Sequence, residues 1–318
     1  MRTIVFNRAN IIADGKNNKL EYNFPNSVKF QDSYIAVSQV NMFYSWVNIG
    51  VELGNNKISF WWWSGNAPPA APVLTENVIT IPDGLYQITE LNFFLQKQMI
   101  DLGAYLINDS QNNVYPIEVQ INPTRYAVQI NTYQFPDPTA GGAITIPALW
   151  NTPSNWIGGG GGTPAAGMPS QSFNAQIELP AKINVLMGYI PDFKTDANIG
   201  NVLTLPLPAN GIKDATTGSL SYLSTSAPDV NPNSSVYLNV SNIDNVYSSP
   251  TGIIYAVTPN VVIGGQISEK PPQFSWNKLL EGTYNNIRLT LLGIDLQPIS
   301  ILDPNMTIIM VIKDRNEL

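Results

Sequence analysis

The sequence predicts an all-β protein, an antiparallel sandwich with one short helix and long loops or an insertion, and three observations carry that expectation. Apolar side chains recur in short alternating runs rich in β-branched and aromatic residues, the pattern of half-buried strands. Asn, Gly, Asp and Pro bound those runs and supply the turn chemistry between them. Only one window changes to a helical period. No internal repeat of fixed length is present, which argues against a propeller or a solenoid.

Taken in order, the alternating runs predict strands at Thr3–Asn7, Lys19–Asn23, Ser33–Tyr44, Lys57–Trp63, Asn77–Ile81, Tyr115–Ile121, Tyr126–Thr132 and Asn174–Leu179. Further strands are predicted at Val202–Leu205, Ser235–Val240, Gly252–Val257, Asn286–Leu292 and Met306–Ile312. Asn122-Pro123-Thr124-Arg125 joins two alternating arms and reads as a hairpin turn. The helix is predicted from about Glu90 to Leu102, with Thr89 as its N-cap. Leu91, Phe94, Leu95, Met99 and Leu102 share one face there, and Gly103 follows where a left-handed cap is wanted.

Two stretches interrupt the strands. Residues 135–172 include five consecutive glycines, Gly158–Gly162, without the Lys-Ser/Thr of a phosphate loop. Residues 206–233 are rich in Pro, Ser and Thr. Both read as surface loops or insertions within one domain spanning 1–318.

Composition narrows the chemistry sharply. The chain has 318 residues, neither His nor Cys, and a net charge of −7. Without imidazole or thiol there is no Ser-His-Asp or Cys-His nucleophile, no ordinary zinc site and no disulfide. Acidic residues fall mainly at turns: Asp83, Asp109, Asp137, Asp192 and Asp303. Turn geometry accounts for them without catalysis. We therefore expect no catalytic residue, cofactor or metal site, although a carboxylate-dependent glycosidase is a third reading. Charged residues make up only 12% of the chain, about half the usual share. Such a surface loses little hydration energy on meeting another subunit.

An acidic chain repels a phosphate backbone. Arg2, Arg8, Lys16, Lys19 and Lys29 nevertheless concentrate positive charge near the start, where a solvated arm or contact with a packaged genome are the two readings. No signal peptide and no membrane span are visible, so use in cytoplasm, or in a particle assembled there, is expected.

Phe60-Trp61-Trp62-Trp63 is the most conspicuous local feature. On a strand, Phe60 and Trp62 share one face while Trp61 and Trp63 share the other. One pair enters the core. The other needs a second layer or a partner, and Phe60 and Trp62 are the candidate subunit-contact residues. A sugar-stacking platform is a further reading of the same aromatics.

Three segments carry a resemblance to a known family. Ile81-Pro82-Asp83-Gly84-Leu85-Tyr86 with Thr89-Glu90-Leu91-Asn92 resembles a strand, Gly-x-Tyr, short-helix element. Ala181–Gly188 with Tyr189-Ile190 is similar to a small helical step ending in a Gly-aromatic turn. Asn286–Leu292, the turn from Asp295 to Pro298, Leu302-Asp303-Pro304-Asn305 and Met306–Lys313 look like a closing pair of strands. Together they resemble the penton and minor capsid proteins of virophages and Polinton-like viruses, over about a third of the chain.

The resemblance implies a single jelly roll, assembling as homopentamers at the fivefold vertices of an icosahedral capsid. It also implies the major capsid protein of the same shell as partner, a virion location and no catalytic residues to carry over. The alternative is a fibre-like or lectin-like β module that binds host glycans.

Overall fold

The computed structural model describes residues 1–63, 74–135, 151–156, 173–180, 182–190, 193–195, 211–213, 220–231, 233–245 and 247–315. The chain divides into two compact units: Met1–Asn48 with Asn231–Leu318, and Ile49–Val230.

The first unit is built on β1 (Arg2–Phe6), β2 (Lys19–Phe30), β3 (Ser33–Phe43), β4 (Val236–Val240), β5 (Ile253–Val257), β6 (Gln266–Glu269), β7 (Gly282–Leu292) and β8 (Thr307–Asp314). Antiparallel pairs join β1 to β8, β2 to β7, β3 to β6 and β4 to β5, as in one long hairpin of nested strands. Further pairs, β8 with β3 and β7 with β4, roll that hairpin into two sheets. Their orders are β1-β8-β3-β6 and β5-β4-β7-β2. This is the wrapping of an eight-stranded jelly roll.

Alternation explains why these segments fold so. Ile4 and Phe6 of β1, Ile308, Met310 and Ile312 of β8, Leu289 and Leu291 of β7, and Leu238 of β4 point inward and are at most 3% exposed. Thr3 and Val5 point the other way and are exposed. In β2 the register breaks between Asn23 and Val28, across Pro25, whose missing N–H cannot join a ladder. A cross-strand shift between Ile309 and Met310 marks a bulge against β3.

The second unit holds two four-stranded antiparallel sheets. One has the order Phe193–Lys194, Gln176–Leu179, Lys57–Trp63, Leu74–Thr80; the other Gly211–Lys213, Leu220–Leu223, Ala127–Thr132, Ile117–Asn122. Gln134–Phe135 pairs with Phe173–Asn174. The predicted hairpin is present, from Ile117–Asn122 to Ala127–Thr132.

The helix is α1 (Ile88–Leu102), and it buries Ile88, Leu91, Leu95 and Met99. Each contributes roughly 1.5–3 kcal/mol by leaving water. The Asn92 side chain accepts a hydrogen bond from the Val119 N–H, 2.8 Å, tying the helix to the neighbouring strand. Gly103 is the left-handed cap expected, at φ 69°. The N-cap is not Thr89 but Gln87, because the Glu90 carboxylate reaches back to accept from the Gln87 N–H at 2.7 Å.

Differences from the sequence expectation concern the loops. The interruption between β3 and β4 is the whole of Ile49–Val230 rather than a local loop. Residues 136–150, 157–172 and 206–210, with the glycine tract and the strand predicted at Val202–Leu205, lie outside the described residues. Within the stretch read as irregular, Leu220–Leu223 is a strand paired on both sides. Its Leu220 and Tyr222 are 3% and 1% exposed.

Candidate functional site

The jelly roll's strand order fixes where its edges lie. Both sheets end in strands that have a pairing neighbour on one side only among the described residues. These are β1 and, apart from the Ile11–Leu20 bridge and the Ile12 N–H bonded to the Lys19 carbonyl, β2 on one lateral side, β5 and β6 on the other. Unpaired backbone N–H and C=O groups on such strands are templates for pairing with another chain.

Each lateral side is closed between the sheets by side chains. On the β1–β2 side a run of rings does this: Phe6–Tyr22, Tyr22–Phe24, Phe24–Phe30 and Phe30–Tyr284, at centroid separations of 6.2, 5.6, 5.9 and 5.9 Å. Mostly edge-to-face contacts of this kind add about 0.5–1.5 kcal/mol each beyond area burial. On the β5–β6 side the Tyr255 hydroxyl donates to Glu269 Oε1 at 2.5 Å. Sequence alone missed this ring seam; the signal for it is the spacing of Tyr22 and Phe24, two residues apart on one strand face.

The outer face of the β5-β4-β7-β2 sheet is polar, with Glu21 bonded to Arg288 across β2 and β7. Elsewhere in the unit Arg2 pairs with Asp314 at 2.6 Å and Lys19 with Asp14 at 3.1 Å. Arg2 lies on β1 and Lys19 and Lys29 on β2, so much of the early positive charge sits on strands of the jelly roll and not on an arm. Exposed ion pairs like these contribute little stability.

One end of the jelly roll is different in character. The β1–β2, β5–β6 and β7–β8 connections and the end of β3 all lie there, because Phe6 pairs with Ile308, Phe43 with Gln266 and Lys19 with Thr290. Ile12, Phe43, Val262, Ile294, Leu296 and Leu302 stand exposed along these connections, Val262 at 79% and Ile294 at 54%. An apolar rim of this sort marks an interaction surface more often than a free one.

No family model matches the chain, and no curated protein matches it. Two solved structures span nearly all of it. The mavirus penton protein is 9% identical, with 98% of this chain and 96% of that chain covered and a TM-score of 0.38. The Sputnik virophage, solved by electron cryo-microscopy, supplies a chain 11% identical, with 100% and 99% covered and a TM-score of 0.36.

The candidate contact pair is elsewhere. Phe60 and Trp62 lie on the Lys57–Trp63 strand of the second unit, and both are 0% exposed. Trp61, on the opposite strand face, is 8% exposed, so the chain itself covers both faces of this strand. Trp62 meets Trp156 edge-to-face at 6.2 Å. Side chains with no exposed surface offer nothing to a second subunit, so Phe60 and Trp62 are core residues and the subunit-contact expectation for them is corrected.

Of the acidic turn residues, Asp109 and Asp303 bond within their own turns and Asp83 bonds across to another segment. Asp83 accepts from the Val51 N–H, Asp109 from the Ser110 N–H and Asp303 from the Asn305 N–H, all within 3.0 Å. Asp137 and Asp192 lie outside the described residues. Among the described residues no three acidic side chains converge as a metal site, and no helix is long and apolar enough to cross a membrane.

Tyr255 and Tyr133, together with the more deeply buried Tyr189 whose hydroxyl burial also pushes up, give the fold an alkaline limit. Burial, then the hydrogen bond to Glu269, pushes the Tyr255 hydroxyl up to about 12. Tyr133 reaches about 12 through burial and then its bond to Glu118. A raised folded-state pKa means stability is whole below the unfolded value near 10 and declines between pH 10 and 12. Urea midpoints should therefore fall over that window, and Tyr255→Phe with Tyr133→Phe should flatten the decline; an equal decline in the double variant would contradict this account.

Proposed function

We propose that this chain is a structural subunit of an icosahedral virus shell, five copies forming a ring at a vertex and meeting the major capsid protein around it. The observation that carries this reading is the pair of largely unpaired lateral sides on a jelly roll. A ring closes when one side of each copy meets the opposite side of the next, a heterologous contact repeated until it returns. The weakly charged surface suits such contacts, because little charge must be stripped of water. The segments resembling virophage and Polinton-like penton proteins support it too, since the closing block forms β7 and β8 at the centre of the two sheets. On this reading the protein resides in the virion, after assembly in host cytoplasm, and does no catalysis.

Negative-stain microscopy and sedimentation of the purified protein test it. Rings of five copies are expected. A monomer at high concentration, also in the presence of the shell protein, would sink the reading. Val5, on β1 and 39% exposed, provides the matching substitution. A lysine on an edge strand blocks edge-to-edge addition, so Val5→Lys should weaken ring formation at least about tenfold. Its thermal midpoint should stay put, exposed substitutions mattering by about 0.5 kcal/mol or less.

A further inference from the structure

A cleft of about 320 Å³ opens in the second unit, lined by Arg125, Tyr126 and Ala127 on one wall and by Leu223–Ala227 on the other. Its volume lies at the small end of ligand sites, enough for one sugar ring.

Both walls are held in place by the fold. The Arg125 N–H donates to Asn122 Oδ1 at 3.2 Å, and Asn122 in turn donates to Gln129, which fixes the hairpin turn. Tyr126 follows at φ 47°, a left-handed conformation uncommon for a bulky residue, with its side chain 69% exposed. Across the cleft, the Ser224 hydroxyl accepts from the Val128 N–H and donates to the Ser226 carbonyl. Those of Thr225 and Ser226 both donate to the Gly188 carbonyl.

The hydroxyl hydrogens of this wall are therefore spent inward, and the oxygens keep lone pairs for a ligand. They accept; they do not donate. The facing wall has the complement. Arg125 is exposed, carries five fixed donors, and has no carboxylate partner among the described residues. No acidic residue lines the cleft. Tyr126 adds an open ring face beside that cation.

We propose that this cleft binds a saccharide bearing a carboxylate, a function beyond shell building. The Arg125 fork takes the carboxylate, the geometry to which guanidinium is matched. The Tyr126 ring packs on the apolar face of the pyranose, and the Ser224–Ser226 oxygens accept from its hydroxyls.

Nuclear magnetic resonance titration of the whole protein tests it, with a methyl sialoside and a methyl glucuronide as probes and methyl galactoside as neutral control. Saturable shifts are expected with at least one acidic probe, centred on residues 125–127 and 223–227. Arg125→Gln should weaken that binding at least about tenfold, the scale of a charged hydrogen bond. Tyr126→Gly, which keeps the left-handed turn without strain, should weaken it several-fold. Both positions are exposed, and unchanged thermal midpoints will show that the variants are folded. Absence of saturable shifts with both acidic probes, binding indifferent to Arg125→Gln, or equal affinity for the galactoside would each overturn the assignment. Ring formation by the Arg125→Gln protein, followed separately, keeps this outcome distinct from the assembly reading.

Discussion

Trp62→Ala should destabilise the Ile49–Val230 unit by about 3–5 kcal/mol, the range for truncating a buried aromatic to alanine. The indole is 0% exposed and packs against Trp156, so removing it leaves a cavity lined by side chains that cannot fully collapse into it. Urea unfolding followed by tryptophan fluorescence reads the change, because five of the seven tryptophans lie between residues 49 and 230. The result also decides between two roles for the residue. A core side chain costs stability whether or not the protein assembles. A variant that kept its unfolding midpoint but lost ring formation would instead put Trp62 at a subunit contact, against the burial described above.

Gly188→Ala should cost roughly 2–4 kcal/mol by a different route, through backbone strain. Gly188 sits at φ +79°, and a Cβ there would stand 2.3 Å from the Ser226 carbonyl oxygen. That oxygen belongs to backbone held in place, since the Thr225 and Ser226 N–H groups both donate to the Gly188 carbonyl, at 3.1 and 3.0 Å. The clash cannot be relieved by rotating a side chain. The Ser224–Ala227 segment must pull away, so the variant should also lose the cleft wall. A thermal midpoint within a degree of the parent would show that the turn tolerates a methyl group after all.

Those two residues also show what sequence can and cannot reveal. Most long strands were legible because seven or more residues of alternation leave little room for another period: Lys57–Trp63 has the bounds expected, β3, β7 and β8 differ by a few residues, and of β2 only the part up to Asn23 was read. The five-residue β1, β4 and β5 were also legible to within one residue at each end, but two four-residue strands were not. Gln266–Glu269 buries fully only Ile267, and Leu220–Leu223 offers just Leu220 and Tyr222 in a Ser- and Thr-rich surrounding. Two apolar side chains at spacing two do not distinguish a strand from a loop. The helix was read correctly apart from its start, where Glu90 favoured Gln87 over the better capping residue Thr89.

The two-unit division was hidden for another reason. Both units are β-rich, and nothing in the residues around Asn48 or Asn231 marks a boundary. The aromatic run at 60–63 gave the alternation of faces. It could not say whether the second face would be covered by the same chain or by a neighbour, because coverage depends on segments such as Trp156 that are distant in sequence. Arg125 and Tyr126 were read only as hairpin residues, since the wall they face comes from nearly a hundred residues downstream.

The wrapping order has a consequence for synthesis. Within its sheet β8 sits between β1 and β3, yet it emerges from the ribosome after every other strand described here. Residues 49–230 are complete long before then and can condense while translation continues. The opening three strands must meanwhile wait, their hydrogen-bonding groups unsatisfied by partners not yet made. Nascent chains halted before residue 307 should thus present a protease-resistant middle flanked by a cleavable beginning, and that lag is when a molecular chaperone would have most to do.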